Sequence, residues 1–126
     1  MKRETRLWLK YAKEDFENMQ IMWNAYRYNS TAFFCQQVLE KIMKAVIIEF
    51  ANRRPPKIHD LLRLKKEGSL ILPKKWEKIL KLLTRHHYLV RYPDMVKAYT
   101  SSRKKMEPII AETKEIYQWI LRKFNQ

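Results

Sequence analysis

Glycine is almost missing from this chain: Gly68 is the only one in 126 residues, beside five prolines. Two-residue β-hairpins rely on residues that tolerate positive φ, so the scarcity argues against a sheet protein and favours long helices. Cysteine is as scarce, and Cys35 standing alone excludes an intramolecular disulfide. Apolar runs are short, as at Ala45 to Ile48, far below the roughly twenty residues of a membrane-spanning helix. No membrane association is expected. Lys2-Arg3-Glu4 leads straight into a charged amphipathic pattern rather than an apolar leader, so the expected location is cytoplasmic. With three histidines, one cysteine and no acid cluster, neither a metal site nor a cofactor is expected.

Acids are the minority sign, 13 against 27 Lys and Arg, for a formal charge of +14. Such an excess suits a polyanionic partner, because contacts to phosphates release counterions and steer association. It equally suits solvated, lysine-rich helix faces, and charge alone does not choose between them.

What the chain does contain is helical periodicity. Trp8, Tyr11, Ala12, Asp15, Met19, Met22, Trp23 and Tyr26 recur at spacings of three and four, predicting a first helix over about 5–28. Asn29, Ser30 and Thr31 supply N-cap chemistry for a second helix striped by Phe34, Cys35, Val38, Leu39, Ile42, Met43, Val46 and Phe50, which must stop before Pro55-Pro56. A short third helix follows over about 58–67, with Gly68 as a left-handed stop. Pro73 suits the first turn of a fourth, whose stripe is Trp76, Ile79, Leu80 and Leu83 and whose lysines form a basic outer face. Residues 88–100 show no period and read as an ordered connection. Met106, Ile109, Ile110, Ile116, Tyr117, Ile120, Leu121 and Phe124 build the last helix, opened by Thr100, Ser101 or Ser102, with Pro108 either kinking it or marking its first turn. The expected fold class is all-α: one domain over 1–126, an antiparallel up-down bundle of four long helices plus one short, with about 75% helix against an ordinary third.

Four landmarks carry more than packing requires. They are Trp8-Leu9-Lys10-Tyr11-Ala12-Lys13-Glu14-Asp15, the ladder from Cys35-Gln36-Gln37 through Glu40-Lys41 to Lys44-Ala45, His59-Asp60-Leu61, and Arg91-Tyr92-Pro93-Asp94. In this order and spacing, over nearly the whole chain, the sequence resembles HEPN domains, named from higher eukaryotes and prokaryotes nucleotide-binding. The resemblance implies a helical bundle that dimerises through its last helices and the preceding loop. It also implies a gene neighbour encoding a minimal nucleotidyltransferase, the two proteins behaving as toxin and antitoxin. Many HEPN proteins are metal-independent endoribonucleases that use an Arg followed four to six residues later by a His.

Those residue types fit that chemistry. A 2′-hydroxyl proton needs a group titrating near neutrality, and a charged phosphorane needs a permanent cation. This chain departs from the pattern: the corresponding positions after Arg91 are Val96, Lys97 and Ala98, and the next polar aromatic, Tyr99, is a phenol too weakly acidic to serve as base. Catalysis by a degenerate motif on Arg91 therefore stands as an alternative to nucleotide or RNA binding, and a purely structural interaction module stands as a third. Arg53 and Arg54 precede His59 at the motif's spacing, but in a loop where His59 more naturally caps or braces the third helix.

The binding candidates are Arg91, with Tyr92, Asp94, Tyr88 and Tyr99 to stack on or hydrogen-bond a base, and Gln37, Lys41 and Lys44 on the second helix. Two structural alternatives accompany them. Arg91 pairs with Asp94 or caps a helix, and Asp15, Glu40, Lys41 and Lys44 form an intra-bundle ion-pair network. His86 and His87 point about 100° apart on a helix and cannot readily share a metal. His87 reads as a continuation of the core stripe, and His86 as a cation near the helix C-terminus.

Overall fold

The computed structural model describes residues 1–125. Its helices are α1 (Arg3–Asn24), α2 (Tyr28–Phe50), α3 (Leu61–Glu67), α4 (Glu77–Leu89), α5 (Lys97–Thr100) and α6 (Arg103–Lys123), with 3-10 turns at Lys74–Trp76 and Pro93–Val96. Helix makes up 78% of the chain, with no strand among the described residues. The four-long-helix bundle is as expected; α5 is an addition inside what the sequence marked as a connection. No helix among the described residues is long and apolar enough to cross a membrane.

Helix α2 is the hub, and α1, α3, α4 and α6 all pack on it. Its densely apolar second half explains why: Val38, Leu39, Ile42, Met43, Ala45, Val46 and Ile47 have no exposed surface, so apolar residues occupy more than one face. Each buried branched side chain stabilises the fold by roughly 1.5–3 kcal/mol. The stripes of α4 (Ile79, Leu80, Leu83) and α6 (Met106, Ile116, Ile120) close over it.

Several boundaries shift from the periodicity. Helix α1 ends at Asn24, four residues earlier than expected, and Tyr26 is exposed. Asn29, Ser30 and Thr31 lie inside the first turn of α2; Arg27 is the N-cap residue and provides no side-chain cap. Helix α3 starts three residues late because Asp60 caps it, accepting hydrogen bonds from the Leu62 and Arg63 amides. Pro73 sits just before the 3-10 turn that leads into α4. Ser102 caps α6, and Pro108 lies within that helix, beyond its first turn.

Near-absence of glycine shows at the helix ends. The left-handed residues are Tyr26 (φ 60°), Asn52 (φ 54°) and Ser69 (φ 49°), while Gly68 keeps an ordinary φ of −90°. The expected role of Gly68 is thus corrected: Ser69 makes the turn, its amide donating to Lys66 O (3.0 Å) while the Leu70 amide reaches Lys65 O (2.9 Å). Gly68 is needed for space, since a Cβ there would lie 3.1 Å from Val46 Cγ1 and 3.3 Å from Ile47 Cγ1. Tyr26 closes α1 in the same manner and is braced by Arg103, whose guanidinium lies 4.6 Å from its ring and 3.8 Å from that of Trp23. Ser69 is exposed and has no such brace. We therefore expect Ser69→Gly to raise stability by about 0.5–1 kcal/mol, read as a higher midpoint in urea with unchanged slope.

Candidate functional site

A line of polar side chains runs along α2 at helical spacing, and unlike ordinary surface polarity it is buried: Gln36 is 0%, Glu40 5% and Lys44 6% exposed. Glu40 holds the centre. Its Oε1 accepts from Gln36 Nε2 (2.9 Å) and His59 Nδ1 (2.9 Å), and its Oε2 accepts from Lys44 Nζ (3.1 Å). Burial pushes the carboxyl up, but the Gln36 and His59 hydrogen bonds and the Lys44 charge more than offset it, leaving its pKa below the usual value.

His59 reaches this carboxylate from the loop before α3. That loop is pinned by the Leu61 amide donating to Thr84 Oγ1 on α4 (3.0 Å) and by Gln36 Nε2 donating to the His59 carbonyl (3.0 Å). So His59 braces rather than caps; the cap is Asp60. From α4, the His87 ring stacks on that of His59 with centroids 4.1 Å apart and planes 23° from parallel. Gln36 Oε1 accepts from Gln37 Nε2 (2.7 Å) and lies 3.3 Å from His87 Nδ1, which assigns the proton of neutral His87 to Nδ1. Burial first, then the neighbouring His59 ring, lower the His87 pKa, so His87 is neutral at pH 7. Among the described residues the Nε2 atoms of both rings lack a hydrogen-bond partner.

The sequence assigned the two adjacent histidines the wrong way round. His87 is half-buried at the site, whereas His86 has no exposed surface and lies inside the bundle. His86 Nε2–H donates to Asn29 O (3.0 Å), leaving Nδ1 to accept from the Tyr99 hydroxyl (2.6 Å). Burial lowers its pKa, so it is a neutral strut and not a cation at a helix end. Tyr99 is accordingly tied down. Burial pushes its phenol up to about 12, and it faces a shallow groove beside Lys81, Arg85 and Met95 rather than the histidine pair.

Of the other candidates, Tyr88 stands edge-on to His87 (5.2 Å, 85°) and Arg91 is close enough for its charge to depress His87. Both are exposed, and among the described residues Arg91 has no ion-pair partner. The expected Arg91–Asp94 pair does not form, because Asp94 turns to Lys97 (2.8 Å) at the start of α5. Tyr92 is 59% exposed and holds the turn through its backbone, donating to Leu89 O and accepting from the Met95 amide. Gln37 orients Gln36, Lys41 pairs with Asp15, and Lys44 lies 5.5 Å from the Trp8 ring. The ion-pair network is therefore present as Asp15–Lys41 and Glu40–Lys44. Of the two arginines at motif-like spacing before His59, Arg53 goes to the Glu67 carboxylate and Arg54 is exposed, with no ion-pair partner among the described residues.

Glu40, His59 and His87 each offer one ligand atom within 4.8 Å of the others, a juxtaposition the sequence did not suggest. The arrangement suits a metal poorly. Lone pairs of near-parallel stacked rings do not converge on one point, and the Lys44 ammonium at 3.1 Å already occupies the carboxylate. What sequence reasoning missed was His87 and the depth of Gln36 and Glu40. The available signal was the Gln36-x3-Glu40-x3-Lys44 spacing, which puts three polar groups on one line of a helix otherwise apolar on that side.

Comparison with known proteins bears on what this arrangement is. The chain is similar to the crystal structure of TT1696 from Thermus thermophilus at a TM-score of 0.80 and 21% identity, over 97% of this chain and 99% of that one. At that identity the likeness establishes the fold. Comparison with curated proteins gives no match. The profile described as HEPN domain matches residues 5–124, all but the ends of the chain and every residue of the Glu40 cluster. The chain therefore belongs to the HEPN family.

Proposed function

We propose that this HEPN protein binds a nucleotide or a short stretch of single-stranded RNA over the stacked His59–His87 pair, with Arg91 on the phosphate. One observation carries the reading: a half-exposed imidazole stack, locked from below by a buried carboxylate and edged by Tyr88, lies next to an unpaired guanidinium. Rings give a base its stacking surface, the free Nε2 of neutral His87 accepts from an exocyclic amine or ribose hydroxyl, and Arg91 supplies the charge-assisted contact.

An endoribonuclease reading draws support from the Glu40–His59 dyad, since a carboxylate on Nδ1 orients an imidazole as base. Yet in-line transphosphorylation places base and acid on opposite sides of phosphorus, and two rings 4.1 Å apart lie on the same side. Tyr99 is committed to His86 and cannot be the missing partner. Binding is the better-supported function.

The protein further acts, in this reading, as a homodimer and as the partner of a nucleotidyltransferase in a toxin–antitoxin-like pair. Tyr88, Tyr92 and Met95, each about 60% exposed around Arg91, supply apolar surface for the subunit contact. Fluorescence anisotropy with labelled oligouridylate, competed by ATP, tests the binding claim. Arg91→Ala and His87→Ala are each expected to weaken binding about tenfold or more, the scale of one lost charge-assisted phosphate contact and of one lost base-stacking contact respectively. Unchanged affinity in both variants removes the reading. RNA cleavage without metal that Arg91→Ala abolishes would move the protein to the nuclease class, and failure to co-purify with a co-expressed neighbouring nucleotidyltransferase would end the partner claim.

A further inference from the structure

A second surface lies at the other end of α4, about 15 Å along that helix from His87. Here Trp119 of α6, 43% exposed, forms a ridge between two depressions of about 410 Å³ each. One is walled by Leu70, Ile71 and Ile120, with Ile71 87% exposed; the other is walled by Trp76, whose ring meets Trp119 edge to face at 5.5 Å. An aliphatic side chain that exposed beside an exposed tryptophan is the composition of an interface centre rather than of solvated surface.

Charge around the ridge has one sign. Four cations, Lys75, Lys114, Arg122 and Lys123, line the two depressions against a single carboxylate, Glu115. Among the described residues none of the four is ion-paired; three rest over aromatic rings instead, Lys75 on Trp76 (5.5 Å), Arg122 on Trp119 (5.6 Å) and Lys123 on Phe50 (4.7 Å). Among the described residues the buried Trp76 Nε1–H has no acceptor, an unfilled donor in a fold where most buried donors are filled.

We propose that this face docks an acidic polypeptide segment with an aromatic or aliphatic anchor, belonging to another protein. The anchor enters a depression beside Trp119, and its flanking carboxylates meet Lys75, Lys114, Arg122 and Lys123. A second copy of this chain is the wrong occupant, because a two-fold contact through this face sets these cations against their equivalents. Nucleic acid answers the charge but not the aliphatic wall of Leu70, Ile71 and Ile120, which gives a phosphate backbone nothing to bury against.

Two labelled helical peptides with identical leucine positions test the proposal, one with glutamate and one with lysine at every polar position, alongside labelled oligouridylate. Anisotropy is expected to show binding of the Leu/Glu peptide, weakened about tenfold or more by Trp119→Ala and again by Arg122→Glu, and no binding of the Leu/Lys peptide. Both substituted residues are exposed, so an unchanged melting temperature separates lost docking from lost folding. Failure of the Leu/Glu peptide to bind, equal binding of both peptides, or indifference to both substitutions overturns the proposal. Displacement of that peptide by oligouridylate would reassign the face to nucleic acid. His87→Ala, at the opposite end of α4, is expected to leave peptide binding intact, so this docking and the nucleotide reading stand or fall separately.

Discussion

Glu40→Ala is expected to lower stability by about 3–5 kcal/mol, the usual consequence of removing one member of a buried ion pair. The substitution takes away the one acceptor shared by Gln36, His59 and Lys44, and strands the Lys44 ammonium, only 6% exposed, inside the bundle. For a domain of this size that corresponds to a fall of about 10 °C or more in Tm, read by far-UV circular dichroism. The cause is separable from simple loss of packing. Adding Lys44→Met to Glu40→Met removes both charges and fills the space, so the double variant should recover a good part of what Glu40→Met alone loses. No recovery would mean that the pair is not what Glu40 contributes, and a loss below about 1 kcal/mol in the single variant would place the carboxylate in solvent rather than in the fold.

His86→Leu is the second large effect, with an expected loss of about 2–4 kcal/mol. The ring is interposed between the Tyr99 hydroxyl and the Asn29 carbonyl, and leucine leaves both without a partner; each orphaned group is worth about 1–3 kcal/mol. Tyr99→Phe in the same background removes one orphan and should restore part of the loss. The same strut connects α4, the start of α2 and α5, so its removal loosens the segment that carries Arg91. A pH signature accompanies it. Burial lowers the His86 pKa below 6.5, so as pH falls through 6.5 the unfolded chain takes up the proton first and the folded state loses stability. That contribution is fully present above about pH 6.5 and disappears as pH drops toward the folded value. His87 shifts in the same direction, so His86→Leu should flatten, without abolishing, the stability decline on the acid side of 6.5. An equally steep decline in the variant would show that other groups set it.

The bundle was legible because its determinants are local. Apolar spacings of three and four named α1, α2, α4 and α6, and Pro55-Pro56 with Pro73 confined the irregular stretch between α2 and α4. Helix boundaries were less so. Tyr26 completes the α1 stripe on paper, yet the chain has already turned, and nothing in the side chain of Tyr26 or Ser69 advertises a left-handed conformation. α5 escaped because four residues are too few to show a period. The site was half legible: the polar ladder of α2 and the Arg91 loop could be named, but not that His59 and His87 meet. That contact joins residues 28 apart through a loop held by Gln36 and Thr84, and no periodicity encodes it. The exchange of roles between His86 and His87 has the same origin. A rotation of about 100° decides which neighbour faces the core, and the stripe of α4 fits either choice within its scatter.

The three left-handed helix ends have a consequence for what a denaturation experiment on this protein compares. Tyr26 and Ser69 each hold a conformation disfavoured by about 1–2 kcal/mol for a residue with a Cβ, while Asn52 holds one that its short polar side chain tolerates better. A denatured chain with a single glycine, however, samples fewer backbone states than most, and so has less freedom to surrender on collapsing. Part of this protein's folding stability therefore resides in the stiffness of its disordered form. A glycine installed at any of the three ends would relax the native turn and, at the same stroke, slacken the denatured ensemble with which it is in equilibrium.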